Sequence, residues 1–369
     1  MSKARQLADL GSVTTRLDEV GNTDGALSNR NLIINGAMQV AQRGTSSTSD
    51  GYQTIDRWRP ASINTGQLVH TYSQSTDAPS GFSTSFKVNV DTAETTLDAD
   101  ESFKFEQRIE GQNLQMLAKG TPDAKALTVS FWVKSSTTGT YICELDDRDN
   151  TRAYSQAYTI NSADTWEYKT LTYAGDTTGA LDNDNDQSFR LTFMLAAGSN
   201  YTSGTLTTGW ASRVDANRFV GQTNLMATAN NYWQITGVQL EVGDTATPFE
   251  HEPHSVTLQK CQRFYEETDV GRGLQFSAIS STQSRSQGVP FKVEKRANPT
   301  ISQKASFSWD YWNGTGHTTL TSISYYANKH GFSVSSNGTG LGAKYRSSQT
   351  AQGSFDSATS RVVVADCEL

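Results

Sequence analysis

Leu127 to Lys134 reads LTVSFWVK, and Leu127, Val129, Phe131 and Val133 share one face of it if the chain is extended. That period of two predicts a strand. Working outward, the pattern returns in short segments broken by Gly, Asn, Asp or Ser. Phe103 to Ile109 (FKFEQRI) alternates apolar with polar and predicts a half-buried strand. Asn31 to Gly36 (NLIING) predicts a strand ending in a turn pair. Leu68–Tyr72, Phe82–Val90, Tyr141–Leu145, Tyr154–Ile160, Trp166–Tyr173, Phe189–Leu195 and Trp233–Leu240 continue the series. About ten such strands over residues 31–252 predict a jelly-roll-like β-sandwich.

Composition agrees with an all-β chain. Of 369 residues, 35% are hydrophobic and 19% charged, while aromatics reach 10%. Disordered chains lose their aromatics, and Ser, Thr, Gly and aromatics are poor helix formers. No apolar run approaches the length that spans a bilayer, and Met1 to Leu10 lacks the apolar stretch of a signal peptide. Cys143, Cys261 and Cys367 are odd in number and at no metal-like spacing, so disulfides are not expected to hold the fold.

Two segments predict helix. Between Ala4 and Val20, Leu7, Leu10, Val13, Leu17 and Val20 fall on one face. This helix is too short to stand alone, so its stripe asks for a partner, such as sister copies in a short coiled coil. Ser255 can cap a second helix running to about Glu267, with Leu258, Cys261 and Tyr265 on one face. Strand patterns then resume at Leu274–Ser280, Gln287–Val293, Thr300–Ser308, Thr318–Tyr326, Gly331–Ser335 and Arg361–Ala365, with hairpin signals at Asn313-Gly314 and Asn337-Gly338. The expected organisation is an N-terminal helix and linker (1–30), the jelly-roll sandwich (31–252), a helical connector (253–267) and a second, smaller β-sandwich domain (268–369).

Charge divides along the same line. Residues 270–369 hold ten Lys/Arg and five Asp/Glu, a net +5; subtraction from the totals of 31 and 38 leaves -12 for residues 1–269. The basic residues of the C-terminal part form no dense run, so nucleic-acid binding is not expected.

Candidate chemistry is sparse. His251 and His254 are three apart with Pro between, unlike the zincin spacing of four. Asp182, Asp184 and Asp186 begin like a calcium loop, yet Gln187 and Phe193 stand where an EF-hand needs Gly and Glu. A looser structural Ca²⁺ site there is the one cofactor candidate, beside a plain solvated loop. No G-x-S-x-G elbow is present, and no carboxylate pair stands out for glycoside hydrolysis. Aromatics are the better lead. Trp309, Tyr311, Trp312, Tyr325 and Tyr326 stand in a polar, Gly-rich neighbourhood, where rings can stack on sugars while Asn, Gln and Asp bond hydroxyls. They could equally form the core of a small domain. Because neighbours on a strand face opposite ways, Tyr311 and Trp312 cannot both be core if that stretch is extended.

Several phrases carry a resemblance. Asn31–Gly44 (NLIINGAMQVAQRG), Ile55–Trp58 (IDRW), Leu127–Ser136, Trp166–Thr178 and Trp233–Cys261 (WQITGVQLEVGDTATPFEHEPHSVTLQKC) resemble bacteriophage tail fibre and virion appendage proteins of the marine and cyanobacterial phage type. The resemblance implies a carbohydrate-binding-module-like β-sandwich in a homotrimer. It implies a virion protein, assembled in the host cytoplasm, attached to tail or capsid proteins through its N-terminal region and meeting a host-surface glycan at the other end. It implies no catalytic motif, so the chain is expected not to be an enzyme. The rival expectations are a purely structural capsid fibre or tail adaptor, and a polysaccharide depolymerase.

Overall fold

The computed structural model describes residues 29–63, 69–270, 274–278, 283–305, 310–312, 317–319, 321–337, 349–351 and 362–369. The helix expected over Ala4–Val20 lies outside them. The chain divides into two compact units, residues 1–254 and 255–369.

The first unit is a sandwich of two six-stranded antiparallel sheets. In chain order its strands are β1 (Ser46–Ser47), β2 (Arg59–Ile63), β3 (Val69–Ser75), β4 (Ser85–Thr92), β5 (Ser102–Glu110), β6 (Leu127–Ser135), β7 (Gly139–Asp147), β8 (Arg152–Ile160), β9 (Glu167–Tyr173), β10 (Gln187–Ala197), β11 (Ala211–Ser212) and β12 (Tyr232–Val242). One sheet runs β1-β3-β4-β12-β6-β9 and the other β11-β8-β7-β10-β5-β2. The chain crosses repeatedly between sheets, as from β4 to β5, β5 to β6 and β6 to β7, which is the jelly-roll habit.

Leu127, Val129, Phe131 and Val133 all enter the core between the sheets. Aromatic rings fill much of that space. Phe105 stacks on Phe86 with centroids 3.9 Å apart and on Trp58 at 4.7 Å, while Phe131 meets Phe193 edge-on at 5.0 Å. Such pairs add about 0.5–1.5 kcal/mol each beyond their buried area.

Asn31–Gly36 is not a strand but a turn, and side chains explain why. The Asn31 side chain accepts from the Ile33 and Leu240 N–H groups and donates to the Val238 carbonyl. Asn35 has a left-handed φ of 60°, and its side chain bonds main-chain groups of Gln39, Val40 and Asp56. Local bonds of this kind compete with a ladder. The turn docks on the end of β12: Leu32 donates to Leu240 and Val238 donates to Gly36, at 2.8 and 3.0 Å. Glu250 secures the entry, accepting from the N–H groups of Asn29, Arg30 and Asn31. Two of the sequence phrases, NLIING and ITGVQLEV, are thus two halves of one contact. A register shift between Thr236 and Gln239 marks a bulge in β12, with Gly237 at φ 62°; Gly alone takes that conformation without cost.

FKFEQRI forms β5, but it is not half-buried: both of its faces are covered. Phe103, Phe105 and Ile109 face the core, and the other face carries Lys104, Glu106 and Arg108, with Glu106 fully buried among cations.

In the second unit a helix, α1 (His254–Gln262), ends five residues before the expected Glu267. Tyr265–Asp269 is instead a strand paired with Val362–Asp366, which also pairs with Thr300–Gln303. The cause is Glu266, which is buried and ion-paired with Lys295 at 2.6 Å; continuing the helix would break that ladder and pair. A second sheet runs Val289–Pro290, Gly331–Asn337, Gln283–Ser286, Leu274–Ala278, Gln349–Ala351, with Thr321–Asn328 also pairing Gly331–Asn337. The strand expected over Gln287–Val293 shrinks to Val289–Pro290, as Pro lacks the ladder donor. Phe332 and Val334 of this sheet pack with Val363 and Ala365 of the first, with Val270 and Phe291, so the two sheets share one small core.

Candidate functional site

Tyr325 and Tyr326 sit side by side on Thr321–Asn328, and the pleat sends them to opposite faces. Tyr325 packs against the small core, while Tyr326 is 53% exposed. The Arg285 guanidinium lies over the Tyr326 ring, 4.7 Å from its centroid. Such a contact holds the ring flat and is worth about 0.5–1 kcal/mol when exposed.

Tyr326 forms one wall of an open cleft of ≈ 610 Å³. Its other walls include Val289, Pro290, Asn328, His330 and Ser333. Position is set by the hairpin between Thr321–Asn328 and Gly331–Asn337. Asn328 and Gly331 are its last pair, and the Asn328 side chain accepts from the His330 and Gly331 N–H groups at 2.8 and 3.2 Å. Val289 and Pro290 pair with Phe332 and Gly331 across the cleft floor. The cleft therefore combines an apolar ring, a cation stacked on it, and amide, imidazole and hydroxyl groups. That set can stack on a ring-shaped ligand and bond its polar rim.

Of the other aromatics, Tyr311 and Trp312 lie on a strand, Asp310–Trp312, paired in register with Thr318 and His317. Trp309 lies outside the described residues. The strands flanking Asn313-Gly314 pair as a hairpin.

Asp182, Asp184 and Asp186 are exposed, and their main chain does the structural work. The carbonyls of Asp186 and Asp184 accept from Gly111 and Gln112, and the Asp184 carboxylate accepts from the Asp186 N–H. Among the described residues no group of three or more His, Cys, Asp or Glu side chains could hold a metal ion. His251 packs its ring against Phe82 and Phe249.

Sequence reasoning missed Arg285. Its partner lies 41 positions away and the contact follows from the order of strands, so no local signal marks it. It also passed over the charged face of β5 and β10, whose only trace was the Lys, Glu and Arg alternating within FKFEQRI.

No family model matches the chain, and no curated protein matches it. Solved structures do. The enzymatically active domain of bacteriophage CBA120 tailspike protein 4 is similar over 57% of this chain at 17% identity, with a TM-score of 0.31. This chain spans only 21% of the length of that tailspike chain. TmCBM61, in complex with β-1,4-galactotriose, is similar over 58% of this chain and 99% of its own, at 12% identity and TM-score 0.30. A putative sugar binding protein from Bacteroides thetaiotaomicron is similar over 58% of this chain and 100% of its own, at 11% identity and TM-score 0.33. No helix among the described residues is long and apolar enough to cross a membrane.

Proposed function

We propose that the chain is a virion appendage of the tail-fibre kind that adsorbs to a host-surface glycan and does no chemistry on it. The observation that carries this reading is Tyr326, an exposed ring held under Arg285 at the wall of an open, polar-rimmed cleft. A buried aromatic would be core; this one presents area to a ligand. Residues 268–369 would be the distal tip, 253–267 the connector, and 1–30 the segment that trimerises or docks on tail or capsid proteins. Three copies would multiply weak contacts through effective concentration. Binding rather than cleavage is favoured by the cleft's composition: among the described residues its walls hold no carboxylate pair for acid–base work.

A glycan array probed with the purified full-length chain tests this. Host-derived glycans are expected to retain the chain, and Tyr326→Ala to lose most of the signal while keeping the β-sheet circular dichroism of the parent. Silence on host glycans, or equal retention of the variant, would sink the reading in favour of a purely structural part. Release of reducing ends would instead establish the depolymerase.

A further inference from the structure

A second feature lies in the first unit, on the outer face of β5, β10 and β7, and is independent of the Tyr326 cleft. Glu106 on β5 is fully buried, and four cations crowd it: Arg59 at 2.9 Å, Lys104 at 3.0 Å, Arg108 at 3.3 Å and Arg190 at 3.4 Å. Asp146 on β7, equally buried, lies 2.5 Å from Arg190, 3.3 Å from Arg148 and 3.4 Å from Arg213. Six cations therefore converge on two carboxylates, within a stretch of chain whose net charge is -12.

Two details go beyond a satisfied ion-pair network. Arg108 and Arg190 are directly opposed partners on neighbouring strands, and like charges so placed destabilise a sheet. The Arg190 Nε and the Thr192 Oγ1, successive positions on this face, are buried without a hydrogen-bond partner, an arrangement that an incoming ligand oxygen would relieve. Arg59, Arg108, Arg148 and Arg213 keep 30, 22, 37 and 23% of their side-chain surface in solvent, so the cluster is reachable.

We propose that this face binds an acidic polysaccharide, whose carboxylate or sulfate groups are taken by Arg59, Arg108, Arg148 and Arg213 around Arg190. Guanidinium forks match such oxyanions in bidentate fashion. The cations run from Arg59 on β2 through Arg108 on β5 and Arg190 on β10 to Arg148, one residue beyond the end of β7, and these four strands are successive neighbours in the sheet; three strand spacings are about 14 Å. One small ion cannot bridge that distance, whereas a chain with repeated acid groups can. Among the described residues no aromatic stands exposed on this face, so it offers no stacking platform for bases, and a polysaccharide fits better than a nucleic acid.

Calorimetric titration of the full-length chain tests the proposal, with tetragalacturonate and a heparin-derived tetrasaccharide as acidic probes. Neutral cellotetraose and a short single-stranded oligonucleotide are the comparisons. At least one acidic oligosaccharide is expected to bind saturably, more weakly as salt is raised, with cellotetraose silent at this face. The double variant Arg59→Gln, Arg148→Gln is expected to weaken that binding by about tenfold or more, through loss of two charge-assisted contacts. Arg108→Gln keeps a donor for Glu106 and relieves the opposed charges, so it should lose binding without lowering the melting temperature. Absence of binding by both acidic probes, or unchanged affinity in the folded variants, overturns the proposal. Tighter binding of the oligonucleotide than of either saccharide also overturns it. Tyr326→Ala should leave this binding unchanged, which separates its failure from that of the cleft.

Discussion

Arg218 closes a bidentate pair on Glu144 across 74 residues of sequence, Nε to one oxygen at 2.9 Å and a terminal nitrogen to the other at 2.6 Å. Glu144 belongs to the middle of β7 and is fully buried. Arg218 belongs to the long excursion between β10 and β12, whose Phe219 is buried against Ile142 and Met194 on the outer face of the sheet. The pair fastens that excursion down together with the Phe219 packing and the pairing of β11 with β8.

Breaking one side of this clamp should be costly. Arg218→Ala leaves a carboxylate buried without its partner, and about 3–5 kcal/mol of unfolding free energy should be lost. The double variant Arg218→Met, Glu144→Leu removes both charges and should lose clearly less than either single change. Urea unfolding of Arg218→Met, Glu144→Leu and the double variant checks this; additive losses would contradict it.

Acid should weaken the first unit through Glu106. Burial by itself raises this carboxyl, but Lys104, Arg190, Arg108 and Arg59 together outweigh it and hold it down at about 2, against an ordinary 4.5. A carboxyl held low in the folded state binds its proton more readily when unfolded. Its contribution is therefore complete above about pH 4.5 and is lost as pH falls towards 2, on the order of 3 kcal/mol in all. Melting temperatures between pH 6 and 2 should fall across that window, and Glu106→Gln should flatten the fall. A parallel slope in the variant would show that other carboxylates govern acid unfolding.

In the second unit the sensitive pair is Lys295 and Glu266, 2.6 Å apart and both buried. Burial lowers the Lys295 amine, with Glu266 opposing, and the ammonium also donates to the Gln262 carbonyl. Lys295→Ala should cost about 3–5 kcal/mol. Hydrogen exchange should show the loss in the 265–269 and 362–366 peptides, with β5 to β7 unaffected. Equal acceleration everywhere would deny a local role.

Gly36→Ala tests the docking of the Asn31–Gly36 turn. A Cβ there would stand 2.0 Å from the Val238 carbonyl oxygen, a backbone atom that can yield only by moving β12. A loss of about 1–3 kcal/mol or more is expected. A neutral outcome in thermal unfolding would mean that the turn and β12 separate easily.

Much of the sandwich was legible because most of its strands have one apolar face and so alternate openly. LTVSFWVK is a strand in both readings; β7, β10 and β12 extend beyond their expected bounds by one or two residues at each end, and β8 by two at its start. The misreadings share a cause. NLIING looks like a strand until the Asn31 side chain reaches the main chain of β12 and Asn35 bonds its own turn, and Tyr265–Asp269 looks like the tail of a helix until Val362–Asp366 arrives to pair with it. Partners about a hundred or two hundred residues away leave no local trace.

The site divides in the same way. Tyr326 was legible as an aromatic in a polar setting, but only the pleat decided that it, and not Tyr325, turns outward. What the sequence determined by itself is the all-β class, the change from an acidic to a basic segment, and the candidates for surface aromatics. These depend on composition and on period-two patterning, both local properties. Register determined the rest: Arg285 over Tyr326, Arg108 against Arg190, and Glu144 beneath Arg218. A one-residue slip would turn each strand's charges to its other face, so only the assembled sheets could decide which of them meet.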